Sequence, residues 1–224
     1  MHLFLRIAPL LLLAACGVEQ SQSKQPVLPE LPGFGKARPV DEAREPSLIA
    51  ARDSILAIAR RRDSAALRKW LAPTIKFSFG DSRGGPDGLF AHWHKYESMD
   101  RLWTVVTDVL THGGKMQGAD SFIAPWTFLA LPDSLDAFEY LVVRDSGVTM
   151  HVAANASDAG IGTLSYDIVR MGATYGDSLW RGITLPDGRT GVVETKHIRS
   201  PVEYRIGLRR FGARWMIDFF VAGD

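Results

Sequence analysis

Tyr204-Arg205-Ile206-Gly207-Leu208-Arg209-Arg210-Phe211-Gly212-Ala213-Arg214-Trp215-Met216-Ile217-Asp218-Phe219-Phe220-Val221 is the stretch on which the fold turns. Tyr204, Ile206 and Leu208 alternate with Arg205 and Arg209, and Trp215, Ile217, Phe219 and Val221 return on the same period. Successive side chains on a strand point to opposite faces, so each arm has one apolar face. Phe211-Gly212-Ala213-Arg214 supplies the turn. A lone hairpin is marginal in water, so this one needs further strands or helices to cover it.

The helices lie at the other end of the chain. Ser47 is placed to cap a helix running to about Arg62, with Leu48, Ala51, Ile55 and Ile58 on one face. Arg60-Arg61-Arg62 suits the negative pole of its dipole. Asp63 caps a shorter helix carrying Leu67, Trp70 and Leu71, which Pro73 stops. Ile75, Phe77 and Phe79 alternate as a half-buried strand, and Gly80 to Gly88 reads as a loop. A helix with Leu89 and Trp93 on one face follows. Ser98 caps another with Leu102, Val105, Val106 and Val109 inward, ended by Gly113-Gly114.

Beyond it the chain reads as β. Phe122 to Leu131 is an apolar strand broken by Pro125. Leu141-Val142-Val143 and Val148 to Val152 flank Asp145-Ser146-Gly147. Gly162 to Val169, Trp180 to Leu185 and Thr190 to Val193 are further strands, the last two joined by Pro186-Asp187-Gly188-Arg189.

Within this region, Val148-x-Met150-x-Val152, Asn155-Ala156-Ser157 before Gly162-Thr163-Leu164, Trp180, Asp187-Gly188-Arg189-Thr190-Gly191-Val192-Val193 and Ile198 run in an order that resembles the bacterial SH3-like domain. The chain has Val192 where that family has an aromatic. The resemblance implies a small barrel with a ligand groove, here formed by Tyr166, Tyr175, Trp180 and Arg189. The helices, the Phe-rich strand and the terminal hairpin resemble the nuclear transport factor 2-like (NTF2-like) cone, in which helices pack into a curved antiparallel sheet. The expected fold class is α+β: N-terminal helices on an antiparallel sheet, residues 47–133 plus 202–224, with an SH3-like barrel, 134–201, inserted before the hairpin. The simpler alternative is a helical domain followed by an extended β-domain.

Residues 1–15 read as an export signal, with Arg6 before an apolar run too short to span a bilayer. Leu13-Ala14-Ala15-Cys16 resembles a bacterial lipoprotein signal, and Cys16 is the only cysteine. The resemblance implies cleavage before Cys16, lipidation of its thiol, and, with Gly17 following, an outer-membrane lipoprotein facing the periplasm. Residues 16–46 carry Pro26, Pro29, Pro32, Pro39 and Pro46 and read as an extended, solvated tether.

The composition narrows function by exclusion. With 224 residues, 46% hydrophobic and 23% charged, the chain can bury a core and is not mainly disordered. Lys and Arg number 26 against 25 Asp and Glu, which leaves no basic face for nucleic acid. A single cysteine permits no intrachain disulfide.

Gly80-Asp81-Ser82-Arg83-Gly84 fits G-x-S-x-G and resembles the first block of the GDS-type esterases. Ser82 as nucleophile would need His197 as base and Asp187, or Asp177, as acid. Against this, Gly84, Gly85, Pro86 and Gly88 stand where the elbow helix should begin, and the later esterase blocks are missing. His92-x-His94 would share a face only on a strand, and no metal or cofactor site is expected. The expectation is a non-enzymatic, lipid-anchored envelope protein whose SH3-like module binds cell-wall peptide (peptidoglycan) or an envelope protein. The alternatives are a periplasmic serine esterase using Ser82, and a cone that holds a small apolar ligand.

Overall fold

The computed structural model describes residues 27–80, 82–155, 157–158, 160–174 and 179–223. The expected signal, Cys16, Tyr175 and Asp177 lie outside them.

In chain order the elements are β1 (Gly35–Lys36), α1 (Pro46–Arg61), α2 (Ser64–Arg68), β2 (Leu71–Lys76), α3 (Gly85–Tyr96), α4 (Met99–Thr111), β3 (Lys115–Met116) and β4 (Ser121–Ala124). A 3-10 turn at Trp126–Leu129 follows, then β5 (Tyr140–Val143), β6 (Val148–His151), β7 (Gly160–Leu164), β8 (Asp167–Thr174), β9 (Trp180–Thr184), β10 (Thr190–Glu194), β11 (Ile198–Arg199), β12 (Arg205–Phe211) and β13 (Arg214–Val221). The fold is α+β. One sheet has the order β2-β13-β12-β4-β3, and the other runs β11-β5-β8-β9-β10-β6-β7 with β1 added on β8. Neighbouring strands pair antiparallel, except β2 with β13. In chain order the strands β5 to β11 fall between β4 and β12.

The terminal hairpin is central to the first sheet. Gly212 opens its two-residue turn at φ 61, a conformation that costs glycine least. Ile206, Leu208, Trp215 and Ile217 face a core with Leu48 and Ile55 of α1, Trp93 of α3 and Leu102, Val106 and Val109 of α4. The expected alternation then breaks. Phe220, not Phe219, is the buried ring. A bulge makes Gly207 pair with Phe219 while Leu208 pairs with Ile217, leaving Asp218 over. Gly207 permits it, because a Cβ there would sit 2.1 Å from the Phe219 ring.

Other local expectations shift in the same physical way. Glu45, not Ser47, is the N-cap of α1, with Pro46 in the first turn. Ser47 instead donates to Glu45 and accepts from Trp215 Nε1 at 3.0 Å, tying the helix to the hairpin. The Asp63 and Ser98 side chains do cap α2 and α4. β2 begins at Leu71 and ends before Phe79, which is 48% exposed. Pro73 is tolerated there because β2 is an edge strand with an irregular register. Gly162 to Val169 is two strands, divided by a turn with Tyr166 at φ 56.

The second sheet curls around its own core of Leu31, Leu141, Met150, Leu164, Val169, Ile183 and Val193. Its pairing path does not close among the described residues: β7 and β11 remain the two ends. The outer edge of β7 is taken by the N-terminal segment, with Glu30 bridging Thr163 and Leu31 N–H donating to Thr163 O at 2.8 Å.

That segment corrects the tether expectation. From Pro29 on the chain is packed as a strap: Leu31, Ala37 and Ala43 are buried, each in a different core cluster. Prolines remove donors, but the residues between them keep theirs: Phe34 N–H reaches Ile168 O and Ala37 N–H reaches Tyr166 O, both at 2.7 Å. Asp167, its side chain 1% exposed, accepts from Lys36 Nζ, Gly33 N–H and Ser165 N–H and pins the strap. Among the described residues no helix is long and apolar enough to cross a membrane.

Candidate functional site

The two sheets meet along the outer face of α4. Arg101, Thr104, Val105 and Asp108 fall at i, i+3, i+4 and i+7, one stripe of the helix opposite Leu102, Val106 and Val109. Arg144, just past β5, Ile198 and Arg199 of β11, and Glu203-Tyr204 leading into β12 face that stripe across a cleft of about 250 Å³. A second hollow of about 350 Å³ lies on the far side of Arg144, between the strap at Pro39–Asp41, His112, Trp126 and Tyr166.

Asp108 is the hub. Arg144 Nη1 donates to it at 2.7 Å, and Arg199 Nη1 donates to its other oxygen. Arg144 is held further by Nε and Nη2, both donating to Lys196 O. Arg199 Nη2 donates to Tyr204 O at 2.6 Å. Burial acts to raise the Asp108 carboxyl, and the charges of Arg199 and Arg144 override it, holding the group below the usual carboxylate range. Tyr204 donates to Glu97 at 3.2 Å, and burial, reinforced by the Glu97 charge, pushes its hydroxyl up to about 12. Arg101 also donates to Glu97 and lies over the Tyr204 ring. Asp108 therefore keeps its charge and Tyr204 its proton at neutral pH.

The residues expected to act together are spread over the molecule. Ser82 Oγ accepts from Phe77 N–H at 3.2 Å and Ser78 N–H at 3.0 Å, and donates to Ser78 O at 3.0 Å. These bonds close the turn between β2 and α3. His197 Nδ1 donates to Asp145 at 2.7 Å in the second sheet, and Asp187 pairs with its neighbour Arg189 on an exposed turn. The structure does not bring Ser82, His197 and Asp187 together.

The expected groove residues also separate. Trp180 pairs with Glu194 at one end of the β9–β10 hairpin, whereas Arg189 stands in the turn at the other end. Tyr166 precedes β8, whose Arg170 pairs with Thr184, and so lies toward the Arg189 end. Trp180 is buried edge-on against His151, 5.3 Å between ring centres. His92 and His94 sit on α3 as expected for a helix, with His92 against Phe77 and Tyr96. Among the described residues no cluster of three His, Cys, Asp or Glu could hold a metal ion. The Asp108 hub is invisible in the sequence, because its arginines are 36 and 91 residues away.

No protein-family model matches this chain, and no curated protein matches it. Two solved chains are similar to it. One is an NTF-2-like protein of unknown function from Shewanella oneidensis MR-1, 13% identical over 80% of this chain and 97% of that one, with a TM-score of 0.30. The other, named Rd1NTF2_05, is 12% identical over 78% of this chain and 95% of that one, with a TM-score of 0.22. The chain's structural neighbours are NTF2-like proteins.

Proposed function

We propose that this is a non-enzymatic, lipid-anchored protein of the bacterial cell envelope. It is held through Cys16 at the periplasmic face of the outer membrane and binds a cell-wall peptide or a partner protein, with an SH3-like second sheet as part of the binding module. The observation that carries the binding reading is the cleft at the junction of the two sheets, walled by Arg101, Arg144 and Arg199. The Ser82 hydroxyl, by contrast, has its proton and lone pairs engaged by its own turn. Because the strap packs from Pro29, the chain from Cys16 to there can reach at most about 45 Å, at ~3.5 Å per residue. The second sheet therefore works close to the bilayer.

Two measurements test this. Cys16→Ala should move the protein from the membrane to the soluble fraction, and the soluble protein should still bind purified peptidoglycan sacculi or an envelope protein. Retention of that variant on membranes refutes the anchor. Labelling of Ser82 by a fluorophosphonate, with the label lost in a His197 variant, refutes the non-enzymatic reading in favour of the esterase.

A further inference from the structure

We infer that the cleft between α4 and the β11–β12 connection receives the terminal carboxylate of a peptide. This rests on the binding reading above and gives it a ligand class. The starting point is Arg199. Its side chain is 8% exposed, so the charge is already largely desolvated. A guanidinium carries five donors. Among the described residues, one nitrogen goes to Asp108 and another to Tyr204 O, while Glu203 stands 3.7 Å away, beyond hydrogen-bond range. The Nε–H makes no hydrogen bond to them, and it is not among the sealed unpartnered atoms, which are the hydroxyls of Thr127 and Thr195. Arg199 is one of the residues that line the cleft.

Arg101 faces it from α4 with a side chain 58% exposed and only Nη1 engaged, on Glu97. Arg144 has all three nitrogens bonded, so it supplies charge and not contacts. Asp108, Glu203 and Glu97, the partner of Arg101, match the three arginines in charge, so recognition rests on the donors that Arg199 and Arg101 have left rather than on net charge. Planar carboxylates match the guanidinium fork. Val105 and Ile198 give an apolar wall beside the arginines for a small side chain. The volume, about 250 Å³, falls below the ~300–1,000 Å³ of pockets that enclose a whole drug-sized ligand, so a chain end enters and the rest stays outside.

The test is calorimetric titration of the full-length protein in detergent with N-acetyl-Ala-Ala, its C-terminal amide, and inorganic phosphate. The expected result is that the acid binds, the amide binds at least about tenfold more weakly, and Arg101→Gln weakens the acid by about tenfold while leaving the melting temperature unchanged. Arg101 is exposed and on the rim, so its variant folds. Arg199→Lys, which keeps the charge but loses the fork, should weaken the acid as well. Equal binding of acid and amide, no binding of the acid, or an Arg101→Gln protein that binds like the parent overturns the assignment. Displacement of the acid by an equal concentration of phosphate also overturns it, because the cleft then reads charge alone. If the parent binds sacculi but binds acid and amide equally, the cleft assignment falls and the envelope reading stands. If the parent binds the acid as expected but not sacculi or an envelope protein, the cleft stands and the envelope reading falls.

Discussion

Replacing Asp108 by Asn should uncouple the two sheets. The amide keeps the shape and one acceptor oxygen but removes the charge that Arg144 and Arg199 share, and those side chains are only 13% and 8% exposed. Breaking a buried ion pair from one side typically costs about 3–5 kcal/mol, because the remaining charge stays desolvated. The Asp108 side chain is 27% exposed, which puts the expected loss at the lower end, about 3 kcal/mol. For a chain of this length that corresponds to a fall in Tm of roughly 6–12 °C. The sign with pH follows from the lowered carboxyl. Its contribution is present above the unfolded pKa of about 3.9 and is lost as pH falls through the lower folded value, so parent and variant should converge in acid. Urea unfolding followed by tryptophan emission and by far-ultraviolet circular dichroism measures both the loss and any separation into two transitions. A triple variant, Asp108→Leu with Arg144→Met and Arg199→Met, should recover most of the loss, since it leaves no buried charge. A loss below about 1 kcal/mol for Asp108→Asn, or a triple variant no better than the single one, would refute the reasoning.

Ser82→Ala strips the turn of its acceptor for Phe77 N–H and Ser78 N–H, so it should cost about 1–3 kcal/mol in denaturant unfolding; an unchanged midpoint means the turn does not depend on it. Gly207→Ala drives a methyl into the Phe219 ring at the bulge and should lower stability by about 1–3 kcal/mol, whereas a neutral result would show that the ring can swing aside. Deleting residues 202–224 removes β12 and β13, leaving β2 without a partner and β4 paired with β3 alone, so the helical half should lose its cooperative melt; a cooperative transition in that truncation contradicts the shared core.

The elements that were legible in the sequence are those whose signal is local. The hairpin shows as a period of two with a glycine turn, and the caps of α2 and α4 show as Asp63 and Ser98. The core face of α4 shows as Leu102, Val106 and Val109. Hydrogen bonds to the next turn, and the burial of one face, leave a pattern within a dozen residues. The strap left none. Leu31, Ala37 and Ala43 enter three different cores, so no period connects them, and five prolines read as solvated chain. Phe219 and Phe220 exchanged roles because a bulge is decided by the partner strand, through the empty space at Gly207.

By itself, then, the sequence determined the α+β class, the order of helices before strands, and the hairpin that completes the first sheet, since each rests on side-chain period and turn chemistry along a continuous stretch. Only the tertiary structure decided that the N-terminal segment packs on both sheets, that Ser82 serves its own turn, and that Arg144 and Arg199 converge on Asp108. Those arrangements join residues far apart in the chain. An arginine at position 199 carries no mark of the carboxylate it will meet on α4. The pairing exists only once packing has taken both from water, where the low dielectric makes their attraction strong and either one alone costly.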